Sequence, residues 1–225
     1  MICFGLDGYR KGWVAVRIEG DKRSLHFLPD IAALLARKFD RAAVDMPIGL
    51  PEAGYRACDL AARALLRPHA SRAFPGARRG LWDFPSHADA NRALRARGEK
   101  GISIELWHLG RKITELDAAM TPRLQLKIRE AHPELVFLRL NEFVPLASKH
   151  TDVGLRLRRT LLREAGFREL DRWLKVERIG HGAKVDDVLD ACALALAARG
   201  FHRSRVLPRD PAPRDFRGLK MQIWY

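Results

Sequence analysis

The chain has 225 residues, 47% of them hydrophobic, and a formal net charge of +14 from 41 Lys and Arg against 27 Asp and Glu. That length suits one large α/β domain or two small ones, with core enough to fold. The charge favours a polyanionic partner, nucleic acid first; the competing reading is a genome-wide taste for arginine, which far outnumbers lysine.

Cys3, Cys58 and Cys192 are scattered, with no C-x-x-C pair to make a zinc site or redox dithiol. Cys3 and Cys192 lie in apolar runs, where a free thiol behaves as a small hydrophobe. A reducing, cytoplasmic setting is expected. The N-terminus reads as a strand and not as a signal peptide. No apolar run approaches the roughly 20 residues of a membrane helix, so no membrane is expected.

In chain order, residues 2–6 (ICFGL) predict a buried strand. Residues 12–18 (GWVAVRI) alternate and predict a second, and 24–28 (SLHFL) a third. Asp30 can cap a helix over IAALLARKF. Residues 42–46 then form a short strand that stops at Pro47. The order implies three antiparallel strands, then a crossover that lays the fourth parallel to the first. Helices are expected over 54–66, 87–97 and 114–120, with a loop over 67–86. REAHPELVFL starts as a strand, with a helix from near Pro133. Further helices are expected over 156–165 and, most strongly, 184–199. The final GLKMQIWY is a strand or an extended tail. There is no internal repeat, and the stretch around 54–125 reads as a helical and loop insertion in a single domain spanning 1–225.

Three carboxylate positions break apolar patterns at element ends. Asp7 closes the first strand, Asp45 (in VDMPIG) the fourth, and Asp186, Asp187 and Asp190 open the strongest helix. With the first and fourth strands parallel and adjacent, Asp7 and Asp45 emerge at the same sheet edge, where open α/β sheets bind ligands. On the helix, Asp186 and Asp190 share a face at i,i+4, as do Asp187 and Asp190 at i,i+3. Asp186 and Asp187 also suit a first helical turn for its dipole alone. Clustered carboxylates repel, so without a cation at least one takes up a proton. Oxygen-only donors favour a hard ion, Mg²⁺ or Mn²⁺, and two such ions roughly 3.5–4 Å apart can activate a water and stabilise a leaving oxygen in phosphodiester cleavage.

These residues carry a resemblance. A strand ending in Asp7, two more strands, a helix, a strand ending in Asp45 and a late helix with Asp187-x-x-Asp190-Ala resemble the RNase H-like fold: a mixed central sheet with helices on both faces. The Holliday-junction resolvase branch is nearest in style. The chain is similar more specifically to the domain-of-unknown-function family 429, predicted RNase H-like nucleases, through GLDGYRKGWV, VDMPIGLP, RACDLAAR, SRAFPGARR, KGISIELWHLGRKITELD, REAHPE, SKHTDVGLRLR, DDVLDACALALA and GLKMQIWY. The resemblance implies a metal-dependent nuclease. Asp7 would bridge two ions, Asp45 and Asp187 would each complete one shell, and Asp190 would add a ligand or orient the others; Asp186 joins the metal set. Resolvases usually carry a glutamate where this chain has Asp45. They also act as dimers, so a homodimer is admitted, although no stretch marks an interface.

Two further groups follow. In REAHPE, Glu130, His132 and Glu134 alternate, so a strand would show all three on one face, with Glu130 as a candidate catalytic carboxylate or simply part of an exposed face. Resolvase-like proteins place a basic residue near the scissile phosphate in a stretch comparable to ASKHTDVG. That gives Lys149 the role, against the alternative of a solvated loop lysine. In SRAFPGARR, Arg72, Arg78 and Arg79 can pair with phosphates and Phe74 or Trp82 can stack on a base, unless the loop packs back onto the body. Two other functions compete: a nucleic-acid-binding protein that kept the fold without the chemistry, and a phosphotransferase of the actin and sugar-kinase type. The latter normally repeats the strand–Asp–Gly hairpin, and this chain has no second copy.

Overall fold

Strand-forming stretches separated by turn residues fold the first 28 residues into a meander. β1 (Ile2–Tyr9), β2 (Gly12–Glu19) and β3 (Lys22–Leu28) are antiparallel neighbours in a computed structural model that describes residues 1–201, 205–209 and 211–225. β1 runs past the expected end, because Tyr9 pairs with Gly12 and the hairpin turns on Arg10 and Lys11 alone. Asp7 therefore sits within the ladder, opposite Val14.

The following elements are α1 (Ile31–Leu35), β4 (Arg41–Val44), α2 (Ala57–Leu65), α3 (His87–Ala96), α4 (Ile104–His108), α5 (Gly110–Ala119), β5 (Ile128–Glu130), α6 (Pro133–Leu140), α7 (Asp152–Glu164), α8 (Leu170–Arg172), α9 (Arg178–His181), α10 (Val185–Arg199), β6 (Val206–Leu207) and β7 (Ile223–Trp224). A π-helical turn, Trp173–Glu177, joins α8 to α9. The anticipated helices are present within a few residues of their expected bounds. The helical stretches at 104–108 and 170–181 were not anticipated: each is short, and neither carries an extended apolar period.

The chain divides into two compact units. One comprises Met1–Met46, Lys127–Arg205 and Trp224–Tyr225, and the other Pro47–Leu126 and Val206–Ile223. The segment read as an insertion thus lies inside a unit with its own core, to which a late part of the chain contributes.

The first unit holds the five-stranded mixed sheet, in the order β3-β2-β1-β4-β5, with β4 parallel to both β1 and β5. Asp30 caps α1 by accepting from the Ala33 amide at 2.8 Å. Asp40 then accepts from the Ile2 amide at 2.7 Å, which pins the start of β4 beside the start of β1. The helix that covers the centre of this sheet is α10, buried from Val188 to Leu194 without a break. It comes so close to β1 that a Cβ on Gly5 would fall inside the backbone of Ala191 and Ala195. Glycine and alanine at the crossing let the two backbones touch.

The second unit is built on α2 to α5 and tied by buried ion pairs. Arg56 pairs with Asp59, both nearly inaccessible. Asp215, its side chain wholly buried, accepts from the Leu50 amide at 3.2 Å and the Leu219 amide at 2.9 Å. Trp82 packs over Gly110 and donates to the Trp107 carbonyl at 3.0 Å.

Gly5→Ala is expected to prevent α10 from seating on β1 and to lower the unfolding free energy by about 3 kcal/mol. Urea denaturation followed by circular dichroism measures this, and a loss below about 0.5 kcal/mol contradicts the account of the crossing.

Candidate active site

The register of the sheet brings two carboxylates side by side. Leu6 pairs with Val44, and the Asp45 amide donates to the Leu6 carbonyl at 3.1 Å, so Asp45 follows directly beside Asp7. Side chains alternate along a strand, so Asp7 projects from the same face as Gly5, the face on which α10 lies. Asp190, one turn into α10, comes from that helix; Asp7 is 8% and Asp190 3% exposed. Asp187 accepts from the Lys184 amide at 2.7 Å, so one of its oxygens serves the start of the helix. Asp187 thus serves the start of the helix while standing near enough to Asp7 to raise its carboxyl.

Lys149 reaches the same point from the segment between α6 and α7. Its Nζ lies 2.7 Å from Asp190 Oδ2 and 3.4 Å from Asp186 Oδ2. The backbone behind it is fixed in three ways. Thr151 donates its amide and its hydroxyl to the Ser148 carbonyl, at 3.0 and 2.8 Å, and caps α7 by accepting from the Gly154 amide at 3.1 Å. Gly154 has no Cβ to strike the Ser148 carbonyl, which presses directly on it. Arg158, fully buried, donates through Nη1 to the carbonyls of Ala147 at 3.0 Å and Gly154 at 2.9 Å, and through Nη2 to both oxygens of Glu134 at 2.8 Å. The loop that presents Lys149 is thus tied to α6 and α7 by one guanidinium.

Burial dominates the electrostatics. It pushes the Asp7 carboxyl well above its ordinary range, with Asp190, Asp45 and Asp187 adding to the rise. Burial also raises Asp45 to about 7, against the opposing pull of Lys149 and with a further push from Glu134. Asp190 is raised to about 7 as well, burial outweighing Lys149, and Asp187 rises through burial and the neighbouring Asp186. Burial works against the charge on Lys149, but Asp190, Asp7 and Asp186 outweigh it and hold the ammonium above the usual lysine range.

The donor set suits a hard divalent cation: it consists of carboxylates from three segments of the chain, and Asp190 Oδ1 is buried with no hydrogen-bond partner among the described residues. Among the described residues, no three or more His, Cys, Asp or Glu side chains are already arranged to hold a metal ion. The contacts that do form at Asp190 are with the Lys149 ammonium.

The other sequence candidates fall elsewhere. β5 ends at Glu130, and His132 already caps α6, so REAHPE does not present three residues on one strand face. Glu130 is buried at 6% exposure and pairs with Val44; alternation puts it on the sheet face opposite Asp7. The carboxylate of that motif that bears on the cluster is Glu134. In the second unit, Arg78 is buried and pairs with Glu99. Arg79 bonds Asp117 at 2.7 Å and Asp215 at 3.1 Å and lies over the Phe216 ring. Both cations are therefore engaged within the unit. Arg72 is half-buried in a short 3₁₀ turn, and Phe74, 42% exposed, is the accessible member of the set. Arg158 was not singled out in the sequence. Its signal was present: Gly154, Arg158 and Leu162 form the buried i,i+4,i+8 stripe of α7, and an arginine there needs a buried partner.

A mixed five-stranded sheet flanked by helices, with carboxylates gathered where β1, β4 and α10 meet, defines an α/β protein consistent with the RNase H-like class. The chain belongs to the family described as "Protein of unknown function (DUF429)", which matches residues 5–213. No curated protein and no solved structure matches the chain.

Two outcomes are expected. Carboxylates whose folded pKa lies above the unfolded value bind protons more tightly when folded. Their contribution is therefore fully present below the unfolded value of 3.8 and is lost as pH rises through about 7. In chelator-treated protein, Asp45→Asn should raise stability at pH 8 by about 2 kcal/mol and leave it unchanged at pH 4; equal effects at both pH values in urea melts would contradict this. Arg158→Met strands Glu134 in the interior and should cost about 3–5 kcal/mol, most of it recovered in the double variant Arg158→Met/Glu134→Leu. A double variant no more stable than the single one would show that the pair is not the source of the loss.

Proposed function

We propose that the protein is a divalent-metal-dependent nuclease that hydrolyses phosphodiester bonds in nucleic acid. The observation that carries this reading is the meeting of Asp7 on β1, Asp45 just past the end of the parallel β4 and Asp190 on α10, with a buried oxygen on Asp190 that has no hydrogen-bond partner among the described residues. Oxygen donors of this kind favour Mg²⁺ or Mn²⁺. When bound, such an ion supplies a water of lowered pKa and neutralises charge that builds on the phosphate.

The chain's own residues have distinct parts in this reading. Asp7, Asp45 and Asp190 hold the cation, with Asp187 beside them and Asp186, 24% exposed at its side chain, at the rim. The Lys149 ammonium is the preorganised positive group for a phosphate oxygen, and Arg158 and Gly154 fix the loop from which it extends. The substrate class is DNA or RNA, and Arg72 and Phe74 are candidates to touch it. Cys3, Cys58 and Cys192 are all buried reduced thiols, which suits a cytoplasmic enzyme. No helix among the described residues is long and apolar enough to cross a membrane.

The test is cleavage of branched, single-stranded and hybrid substrates in Mg²⁺ or Mn²⁺. Asp7→Asn is expected to lower the rate by about 10³-fold or more. If wild type and Asp7→Asn behave alike on every substrate, the reading fails.

A further inference from the structure

We propose that Lys149 is the resident cation of the acidic cluster in the metal-free protein, and that a divalent ion binds by displacing its ammonium from Asp190. This rests on the metal reading of the same site and adds to it a competition that is built into the fold.

The contacts of the lysine carry the inference. Nζ bonds Asp190 Oδ2 at 2.7 Å and stands 3.4 Å from Asp186 Oδ2, while Asp190 Oδ1 is buried and has no hydrogen-bond partner among the described residues. One oxygen of the central carboxylate is thus taken by the ammonium and the other is open. Lys149 also acts electrostatically on Asp7, Asp45 and Asp187, so one positive charge serves the whole group. An ion that entered at Asp190 Oδ1 would stand beside the ammonium held on Oδ2, so the two cations contend for one carboxylate.

What can move is also defined. The backbone on either side of Lys149 is held by Arg158 at Ala147 and by Thr151 at Ser148, and Gly154 presses against it. The side chain, by contrast, is four methylenes long, is 29% exposed and makes its hydrogen bond at its tip alone. Release therefore needs rotation about side-chain bonds and no change of the loop. A released ammonium stays within its own length of the cluster, where an anionic phosphate oxygen would meet it. Exchanging a charge of one for a charge of two also leaves the carboxylates better neutralised.

A competitor lowers apparent affinity by the fraction of molecules in which it has withdrawn. Removing it should therefore tighten metal binding, whereas a lysine that merely shaped the site would loosen it when removed. Calorimetric titration with Mn²⁺ is made on wild type, Lys149→Met and Asp7→Asn. The expected result is at least about tenfold tighter binding to Lys149→Met than to wild type, with weakened binding to Asp7→Asn. Equal or weaker binding to Lys149→Met, alongside measurable binding to wild type, overturns this proposal and leaves the metal reading standing. No Mn²⁺ binding to either protein overturns the metal reading and the competition with it.

A second measurement reads displacement in the wild-type protein and uses a charge-conserving variant for assignment alone. In wild-type protein labelled with ¹⁵N-lysine, a slowly exchanging ammonium resonance, assigned by its loss in Lys149→Arg, is expected in the metal-free state and should disappear on addition of Mg²⁺. Persistence of that resonance at saturating Mg²⁺ overturns the displacement.

Discussion

The close seat of α10 on β1 is the constraint from which the site follows. A helix lying on a sheet normally stands about 10 Å away, held off by side chains. Here Gly5 on the strand and Ala191 and Ala195 on the helix remove those side chains at the crossing. The helix start is thereby drawn toward the strand end that carries Asp7, and the pairing of β4 with β1 adds Asp45 beside it. A bulkier residue at position 5 would lift the helix, and Asp190 with it. The chemistry proposed for the carboxylates thus depends on a residue that has no chemistry of its own.

Burial then sets the price of that arrangement. Four carboxylates raised above their ordinary range and a half-buried lysine among them form a unit in which no member's charge state is independent of the others. The surrounding protein answers with fixed geometry. Arg158 joins Glu134, the Ala147 carbonyl and the Gly154 carbonyl, so two helices and the Lys149 loop share one guanidinium. Such a group is costly to bury and costlier to break, which makes it an anchor of position more than a source of stability. Arginine is used in the same way in the second unit, where Arg56, Arg78 and Arg79 all pair with carboxylates.

Much of this was legible before any coordinates. An apolar run marked the first strand, alternation marked the second, and the apolar run after Asp190 marked α10 as a buried helix. Asp7, Asp45 and Asp190 were visible because a charge at the edge of an apolar pattern contradicts its surroundings. Two elements misled. REAHPE alternates as a strand does, but proline at the first turn of α6 takes over after Ala131, so Glu134 and not Glu130 faces the cluster. In SRAFPGARR, arginines beside aromatics read equally as a nucleic-acid surface or as internal ion pairs, because composition does not say which carboxylates will be near. Those carboxylates, at positions 99, 117 and 215, are far along the chain.

By itself, then, the sequence determined most of the elements, their order and most of the residues that carry unusual chemistry, because hydrophobic period and its interruptions are local properties. Only the tertiary structure decided which charges meet. The proximity of Lys149 to Asp190, 41 positions apart, and of Arg158 to Glu134, 24 apart, depends on how helices dock. Docking is set by packing volume at a few contacts such as Gly5, and no local pattern in the chain records it.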